Sequence, residues 1–374
     1  MAFKLPKYTE LTNDQKIIAG LGFDKNILVS AAPGTGKTVI AIYRAHELSD
    51  AGKKVAMLVY KRTLMEYLSS TVRSLGIKAV VNTWHSWLVE FYAKKLNNKN
   101  GYRLASDEPY SYNWTRIKMD FERYGSRHSY GVYDTVILDE AQDIPIELIE
   151  ALKYISKSIT CLMDPQQSIE VGGSNHVDVA IALGVRKEYT LDENFRNHKE
   201  VYDLSQVYRQ ASVNPREPIF EKPHFVKHTG VGIPFEKIKD VIRRRKLPYI
   251  GVFVTNKQLE KTYEELNSAF PGKVYMYKTR SRYNTISFDQ EGIYVLSYNT
   301  MKGLEFDEVI MPRFDKVDSS CDADTDTNLI YVAISRASHY FYGIYQGMDH
   351  HDGYIDVMRP FREGKADKDI VRWE

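Results

Sequence analysis

The chain has 374 residues, 43% of them hydrophobic and 27% charged, with a formal net charge of +2 and two cysteines. Its length suits about two domains, and its composition a packed globular protein rather than a disordered or fibrous one. Cys161 and Cys321 stand far apart without metal-ligand spacing, which argues against a disulfide framework or a zinc site. No apolar run approaches the roughly 18 residues of a membrane span, and the opening MAFKLPKYTELTNDQ lacks a signal-peptide core. The expectation is a cytoplasmic protein with no membrane partner. The near-neutral charge means that any nucleic-acid binding must use local basic surfaces.

In chain order, short β-branched runs at 26–32, 55–60, 78–83, 134–141 and 158–164 predict strands, with helical stretches at 37–52 and 61–76 between them. Strands that are apolar on both faces and spaced by helices predict a parallel sheet with right-handed crossovers. Residues 96–131 are polar and aromatic with weak periodicity, and read as a small insertion. The pattern restarts at 249–255, 273–278, 292–299, 307–313 and 339–346, with helices at 256–270 and 326–338. The fold class is therefore α/β in two tandem domains. The polar, proline-containing stretch 211–225 sets the expected division: residues 1–212, residues 213–348, and a C-terminal tail 349–374.

AAPGTGKT (31–38) follows a predicted strand and opens a predicted helix, the context a phosphate-binding loop requires. Pro33, Gly34, Thr35 and Gly36 would wrap the phosphates. The two glycines let backbone N–H groups turn inward, and the helix start offers its positive end to the anion. Lys37 would reach the β- and γ-phosphates, and the Thr38 hydroxyl would bind Mg²⁺. Ala31 stands where the strict pattern has glycine. VILDEAQD (136–143) is an apolar strand ending in two carboxylates: Asp139 to hold the metal, Glu140 to polarise water. ATP and Mg²⁺ are thus the expected cofactors.

With these motifs in place, the chain resembles the UvrD/Rep family of superfamily 1 DNA helicases over about residues 10–345. The resemblance implies two RecA-like P-loop NTPase domains. LTNDQKIIAG (11–20) is similar to the family's glutamine motif, which implies that Gln15 reads adenine. MDPQQSI (163–169) places Gln167 as a γ-phosphate sensor. LDENFRN (191–197) places Phe195 against the adenine and Arg196 on the γ-phosphate. NTMKGLEFDEVI (299–310) places Gly303 and Glu305 at the nucleotide, and LIYVAISRAS (329–338) makes Arg336 the arginine finger of the second domain. A cleft that closes on ATP and opens after hydrolysis would then drive stepping along a strand.

The resemblance further implies a monomer that works on single-stranded DNA in replication or repair, moving 3′ to 5′. VYKRTL (59–64), NTWHSWL (82–88) and NTMKGLE (299–305) resemble the strand-contacting segments. Tyr60, Lys61, Arg62, Thr83, Trp84, His85 and Lys302 are the candidates. For Trp84 and Trp87, three apart on one helix face, core packing is the alternative; for His85 it is a structural hydrogen bond. RRRK (243–246) and DHHD (349–352) are weaker signals, for phosphate and metal.

Two departures from the family stand out. Glu170 and Gly172 occupy the places of its base-wedging rings, and the segment between 256 and 299 is too short for the large insertion of its second domain. A compact nucleotide-switched clamp, holding nucleic acid or a partner protein without processive unwinding, is therefore the second reading. RNA as the track is a third.

Overall fold

A computed structural model describes residues 5–103, 112–129, 131–165, 173–277, 290–298, 300–318, 323–347, 349 and 354–374. The chain divides into two compact units, Leu5–Asp192 and Glu193–Glu374. The division falls between 192 and 193 rather than between 212 and 213.

The first unit runs α1 (Asn13–Ala19), β1 (Ile27–Ser30), α2 (Lys37–Asp50), β2 (Val55–Val59), α3 (Arg62–Ser74), β3 (Ala79–Thr83), α4 (Trp84–Lys94), α5 (Trp114–Ser126), β4 (Tyr133–Asp139), α6 (Ile146–Leu152), β5 (Ser156–Met163), α7 (His176–Leu183) and β6 (Glu188–Tyr189). The strands lie in the order β3-β2-β4-β5-β1-β6, every pair parallel. Strands such as VAMLV (55–59) are buried throughout because helices cover both faces. On α3 the four-residue spacing of Leu64, Leu68 and Val72 supplies the buried stripe.

The 96–131 stretch is more ordered than its weak periodicity suggests. Its described part contains α5, whose Phe121 packs 4.9 Å from Phe91, while Tyr92 donates a hydrogen bond to Asp120 at 3.2 Å. Ile117, Phe121 and Gly125, four residues apart, form the buried face of α5, and aromatic contacts extend it.

Arg44 on α2 is fully buried. Its guanidinium donates to the carbonyls of Leu21 at 2.6 Å and Gly22 at 3.0 Å, and to the Thr160 hydroxyl at 2.9 Å. Burial lowers its pKa to about 10, so it remains charged at neutral pH. One side chain thus pins the segment after α1 to the sheet.

The second unit runs β7 (Glu193–His198), α8 (Lys199–Gln206), β8 (Asn214–Arg216), β9 (His224–Lys227), α9 (Phe235–Arg245), β10 (Tyr249–Val254), α10 (Leu259–Ala269), β11 (Val274–Met276), β12 (Gly292–Ser297), β13 (Phe306–Met311), β14 (Val317–Asp318), α11 (Ala323–Ile334), β15 (Ala337–Tyr345), β16 (Tyr354–Ile355), α12 (Arg359–Arg362) and β17 (Arg372–Trp373). Its main sheet is again parallel, in the order β11-β12-β10-β13-β15-β9-β17. The expected boundary stretch 211–225 lies inside this unit, where β7 pairs with β8 and α8 packs on α11 and β15. Phe195 and Arg196 accordingly belong to the second unit.

The expected tail is also part of this unit. β17 adds to β9, and Trp373 packs 5.2 Å from Phe225 and 5.5 Å from Phe361. Most of the RRRK run is engaged within the unit: Arg243 pairs with Asp240 at 3.3 Å, Arg244 donates to the Asp240 carbonyl at 3.3 Å, and Arg245 pairs with Glu221.

Glu308 on β13 has no exposed surface, and its oxygens accept no hydrogen bond among the described residues. Arg245 lies 3.6 Å away. Burial raises the Glu308 carboxyl to about 7, opposed by Arg245 and reinforced by Glu221.

Replacing Arg44 by Met should lower the unfolding free energy of the first unit by about 2–4 kcal/mol, because buried carbonyls lose their donor. Urea unfolding measures it, and an unchanged midpoint would refute the clamp. For Glu308 the folded pKa lies above the unfolded one. Its contribution is complete below about pH 4.5 and is lost as pH rises through about 7, amounting to about 3 kcal/mol. Glu308→Gln should therefore flatten the fall in stability of the second unit between pH 5 and pH 8, read by the same titration.

Candidate functional site

In the first unit the chain leaves β1 at the edge where parallel sheets bind ligands. Ala31 continues the ladder by donating its N–H to Met163 at 3.0 Å and keeps an ordinary backbone, so alanine serves at the first loop position without strain. Glycine is required further on: Gly34 has φ +75° and Gly36 φ +91°, the latter as the N-cap of α2. Pro33 and Thr35 are buried within the turn, and the Thr35 hydroxyl donates to the Ala32 carbonyl at 2.8 Å.

Lys37 lies across this loop, its ammonium donating to the carbonyls of Ala31 at 2.7 Å and Ala32 at 2.8 Å. The Thr38 hydroxyl donates to an Asp139 oxygen at 2.7 Å, bringing the two expected metal ligands together across 101 residues of chain. Burial, then the neighbouring Glu140 charge, raises the Asp139 carboxyl well above the usual carboxylate range, against Thr38 and Lys37. The other Asp139 oxygen accepts the Glu140 N–H at 3.1 Å. A divalent cation suits this pair: it would compensate a buried carboxylate whose two hydrogen-bond donors, a hydroxyl and a backbone N–H, are neutral.

Glu140 adopts a left-handed conformation, φ +54° and ψ +46°, at a cost of about 1–3 kcal/mol for a non-glycine residue. Its carboxylate accepts from the Gln142 amide at 2.5 Å, while the Gln142 oxygen accepts the Asp164 N–H at 3.0 Å. Gln142, completely buried, thus ties Glu140 to the end of β5. Sequence reasoning assigned it no role, although it lies inside the DEAQD run. Gln167, Glu170 and Gly172 lie outside the described residues.

Gln15 is placed against the phosphate loop. Its amide donates to the Thr35 carbonyl at 3.0 Å and its oxygen accepts the Thr12 N–H at 3.0 Å, closing a capping box at the start of α1. A Cβ on Gly36 would come within 2.5 Å of the Gln15 amide nitrogen.

The strand-contact candidates divide. Tyr60, Lys61, Arg62 and His85 lie at the carboxyl ends of β2 and β3 and are at least partly exposed. The Tyr60 and His85 rings meet edge-on at 5.4 Å, and the Lys61 ammonium lies 4.8 Å from the Tyr60 ring. Arg62 pairs with Glu66 at 2.9 Å. Trp84 differs from the expectation: it is 2% exposed, in the core with Trp87, because its helix turns that face inward. Thr83 is the N-cap of α4, accepting the Ser86 N–H at 3.3 Å.

The second unit gathers its own set. Phe195 on β7 is 46% exposed, an open ring of the kind that stacks on a base. Arg196 pairs with Glu305 and donates to the Ser335 carbonyl at 3.4 Å. Gly303 turns with φ +80° just before Glu305. Arg336 is 1% exposed, its guanidinium donating to the carbonyls of Val332 at 3.1 Å and Leu304 at 3.4 Å. Lys302 is also 1% exposed, so its ammonium is not offered at the surface as a strand contact would be. Residues expected at one nucleotide from three separate motifs therefore converge here: Arg196, Glu305 and Arg336. The DHHD residues 350–352 lie outside the described residues, and among the described residues no group of three His, Cys, Asp or Glu is arranged to hold a metal. No helix of the described residues is long and apolar enough to cross a membrane.

Gly36→Ala should destabilise the first unit by about 1–3 kcal/mol, since the added carbon meets a glutamine held by two hydrogen bonds at a positive φ. It should also weaken nucleotide binding at least tenfold in calorimetric titration. Gly52→Ala, at φ +70° with nothing within 4 Å of the added carbon, is the control and should leave that affinity unchanged.

The family model of the AAA domain matches residues 14–173, and that of the UvrD-like helicase C-terminal domain matches residues 292–342. The first match holds the phosphate loop with Asp139 and Glu140, the second Glu305 and Arg336. Among solved structures, the C-terminal domain of a possible DNA helicase from Lactobacillus plantarum WCFS1 aligns at 16% identity over 48% of this chain and 97% of its own, with a TM-score of 0.33, a likeness too loose to bear on the site. No curated protein sequence matches the chain. Two α/β units with parallel sheets, one opening on an AAA-type phosphate loop and the other carrying a UvrD-like C-terminal domain, are the tandem RecA-like P-loop domains of a helicase, and the chain belongs to the UvrD/Rep-like helicases, which are ATPase enzymes.

Proposed function

We propose that the protein is a Mg²⁺-dependent ATPase that translocates along single-stranded DNA, 3′ to 5′, as a cytoplasmic monomer. The observation that carries the reading is the 2.7 Å contact between Thr38 and Asp139 with Glu140 next in sequence. It supports reading Thr38 and Asp139 as the metal ligands and Glu140 as the carboxylate that polarises water. The buried free thiol of Cys161 suits a reducing compartment.

Mg²⁺ held by Thr38 and Asp139 would neutralise charge between the β- and γ-phosphates. The glycine-turned N–H groups of the loop and the start of α2 bind phosphate oxygens. Lys37 leaves the Ala31 and Ala32 carbonyls for the β- and γ-phosphates. Glu140, its other oxygen held by Gln142, orients the attacking water and takes up its proton. Arg196 exchanges Glu305 for the γ-phosphate, and Arg336 stabilises the charge that develops there. Phe195 stacks on the adenine, with Gln15, Gly303 and Glu305 around the nucleotide. Gln167 reports the γ-phosphate to the strand. Tyr60, Lys61, Arg62 and His85 are the groups we assign to DNA, by stacking and by phosphate contact.

The burial of Trp84 and Lys302 favours a second reading, an ATP-switched clamp that grips nucleic acid without processive unwinding. ATP turnover measured in parallel with no polymer, single-stranded DNA, duplex DNA and RNA tests the substrate class. Displacement of a labelled strand from duplexes with 3′ or 5′ tails tests movement. Lys37→Ala and Glu140→Gln should each lower kcat at least about 100-fold, and Arg336→Ala about 10³-fold. Parental rates in these variants would overturn the assignments; stimulated turnover with neither strand displacement nor displacement of a roadblock protein from the track would establish the clamp.

A further inference from the structure

Asn197 is not an assigned site residue, yet every polar atom of its side chain is engaged. It is 3% exposed. Its amide nitrogen donates to the Ser335 carbonyl at 3.1 Å and to the Ala337 carbonyl at 2.5 Å. These are the two carbonyls that flank Arg336. The carbonyl of Arg336 itself accepts the Phe306 N–H at 2.9 Å, so the backbone is held at three consecutive residues.

The other end of Asn197 is tied equally. Its oxygen accepts the Asn194 amide at 2.9 Å, and the Asn194 oxygen accepts the N–H groups of Arg196 at 2.9 Å and Asn197 at 3.0 Å. The Ser335 carbonyl takes a second donor, the Arg196 guanidinium, at 3.4 Å. One amide group with both N–H bonds and its oxygen occupied thus links the backbone under Arg196 to the backbone under Arg336.

An asparagine suits this position for a chemical reason. Two carbonyls that face the same way need a donor with two N–H groups in one plane; a primary amide supplies both, and its oxygen is free to accept the Asn194 amide. Aspartate has the same shape and no donor. Alanine withdraws one donor from each of the Ser335 and Ala337 carbonyls.

We propose that Asn197 is a positioning residue that fixes the Arg336 backbone against Arg196, so that both guanidiniums meet the same developing phosphate charge. This rests on the reading of those two arginines given above. It predicts a defect in the rate of the chemical step rather than in ATP capture, which belongs to the phosphate loop of the first unit.

The test uses the full chain, Mg-ATP and saturating oligo-dT. Asn197→Ala and Asn197→Asp should each lower kcat at least tenfold, with KM for ATP and the affinity for Mg-ATP changed less than twofold. Combined with Arg336→Lys, the Asn197→Ala loss should be smaller than in the parent, because the two changes act through one guanidinium. Unchanged kcat in Asn197→Ala overturns the proposal. So does a loss that merely follows the unfolded fraction in a thermal melt and multiplies fully with Arg336→Lys. If Asn197→Ala does not fold, Asn197→Ser, which keeps one donor, must show the same split between kcat and KM. An inactive parent overturns the arginine reading and the proposal with it.

Discussion

The hydroxyl of Thr38 against the carboxylate of Asp139 is the contact on which the site depends. It joins the first turn of α2 to the end of β4, two elements that parallel-sheet topology delivers to one edge. Almost everything else in the first unit keeps that edge in register. Arg44 ties the segment after α1 to the sheet, α1 presents Gln15 to the loop, and Gln142 anchors Glu140 to β5. These are polar contacts inside an apolar frame, where a hydrogen bond is strong and an unpaired group is costly.

Strands buried on both faces were legible from sequence because a run such as VAMLV or VIL has no polar side to confuse the pattern. The phosphate loop was legible because glycine at a positive φ and lysine at a helix start leave a spacing that survives in one dimension. The unit boundary was not legible. β7 reads ENFRNH, a polar string that periodicity assigns to a connection; Asn194, Asn197 and His198 are nevertheless buried, held by hydrogen bonds rather than by apolar contact. A proline-containing stretch further on drew the division too late.

Burial of individual candidates was equally hidden. Trp84 and His85 are neighbours in sequence, but a helix sends one ring into the core and leaves the other half-exposed beside Tyr60. Lys302, in the turn before β13, is likewise buried in the second unit. The last residues carried no readable pattern because β17 is only two residues long; its place comes from Trp373, which fills a gap among Phe225, Tyr345 and Phe361. Local patterns specify elements, whereas the side a residue faces is decided by what packs over it.

The resting place of Lys37 has a further consequence. With its ammonium already satisfied by two loop carbonyls, nucleotide entry is a partner exchange rather than a simple addition of charge to charge. A ligand must offer the lysine enough anionic oxygen to compensate for abandoning those carbonyls, which then need water or loop N–H groups in turn. Such a swap favours ligands dense in negative charge and discounts those that reach the loop with a single phosphate, so the lysine's carbonyl partners act as a filter for how many phosphates a ligand carries.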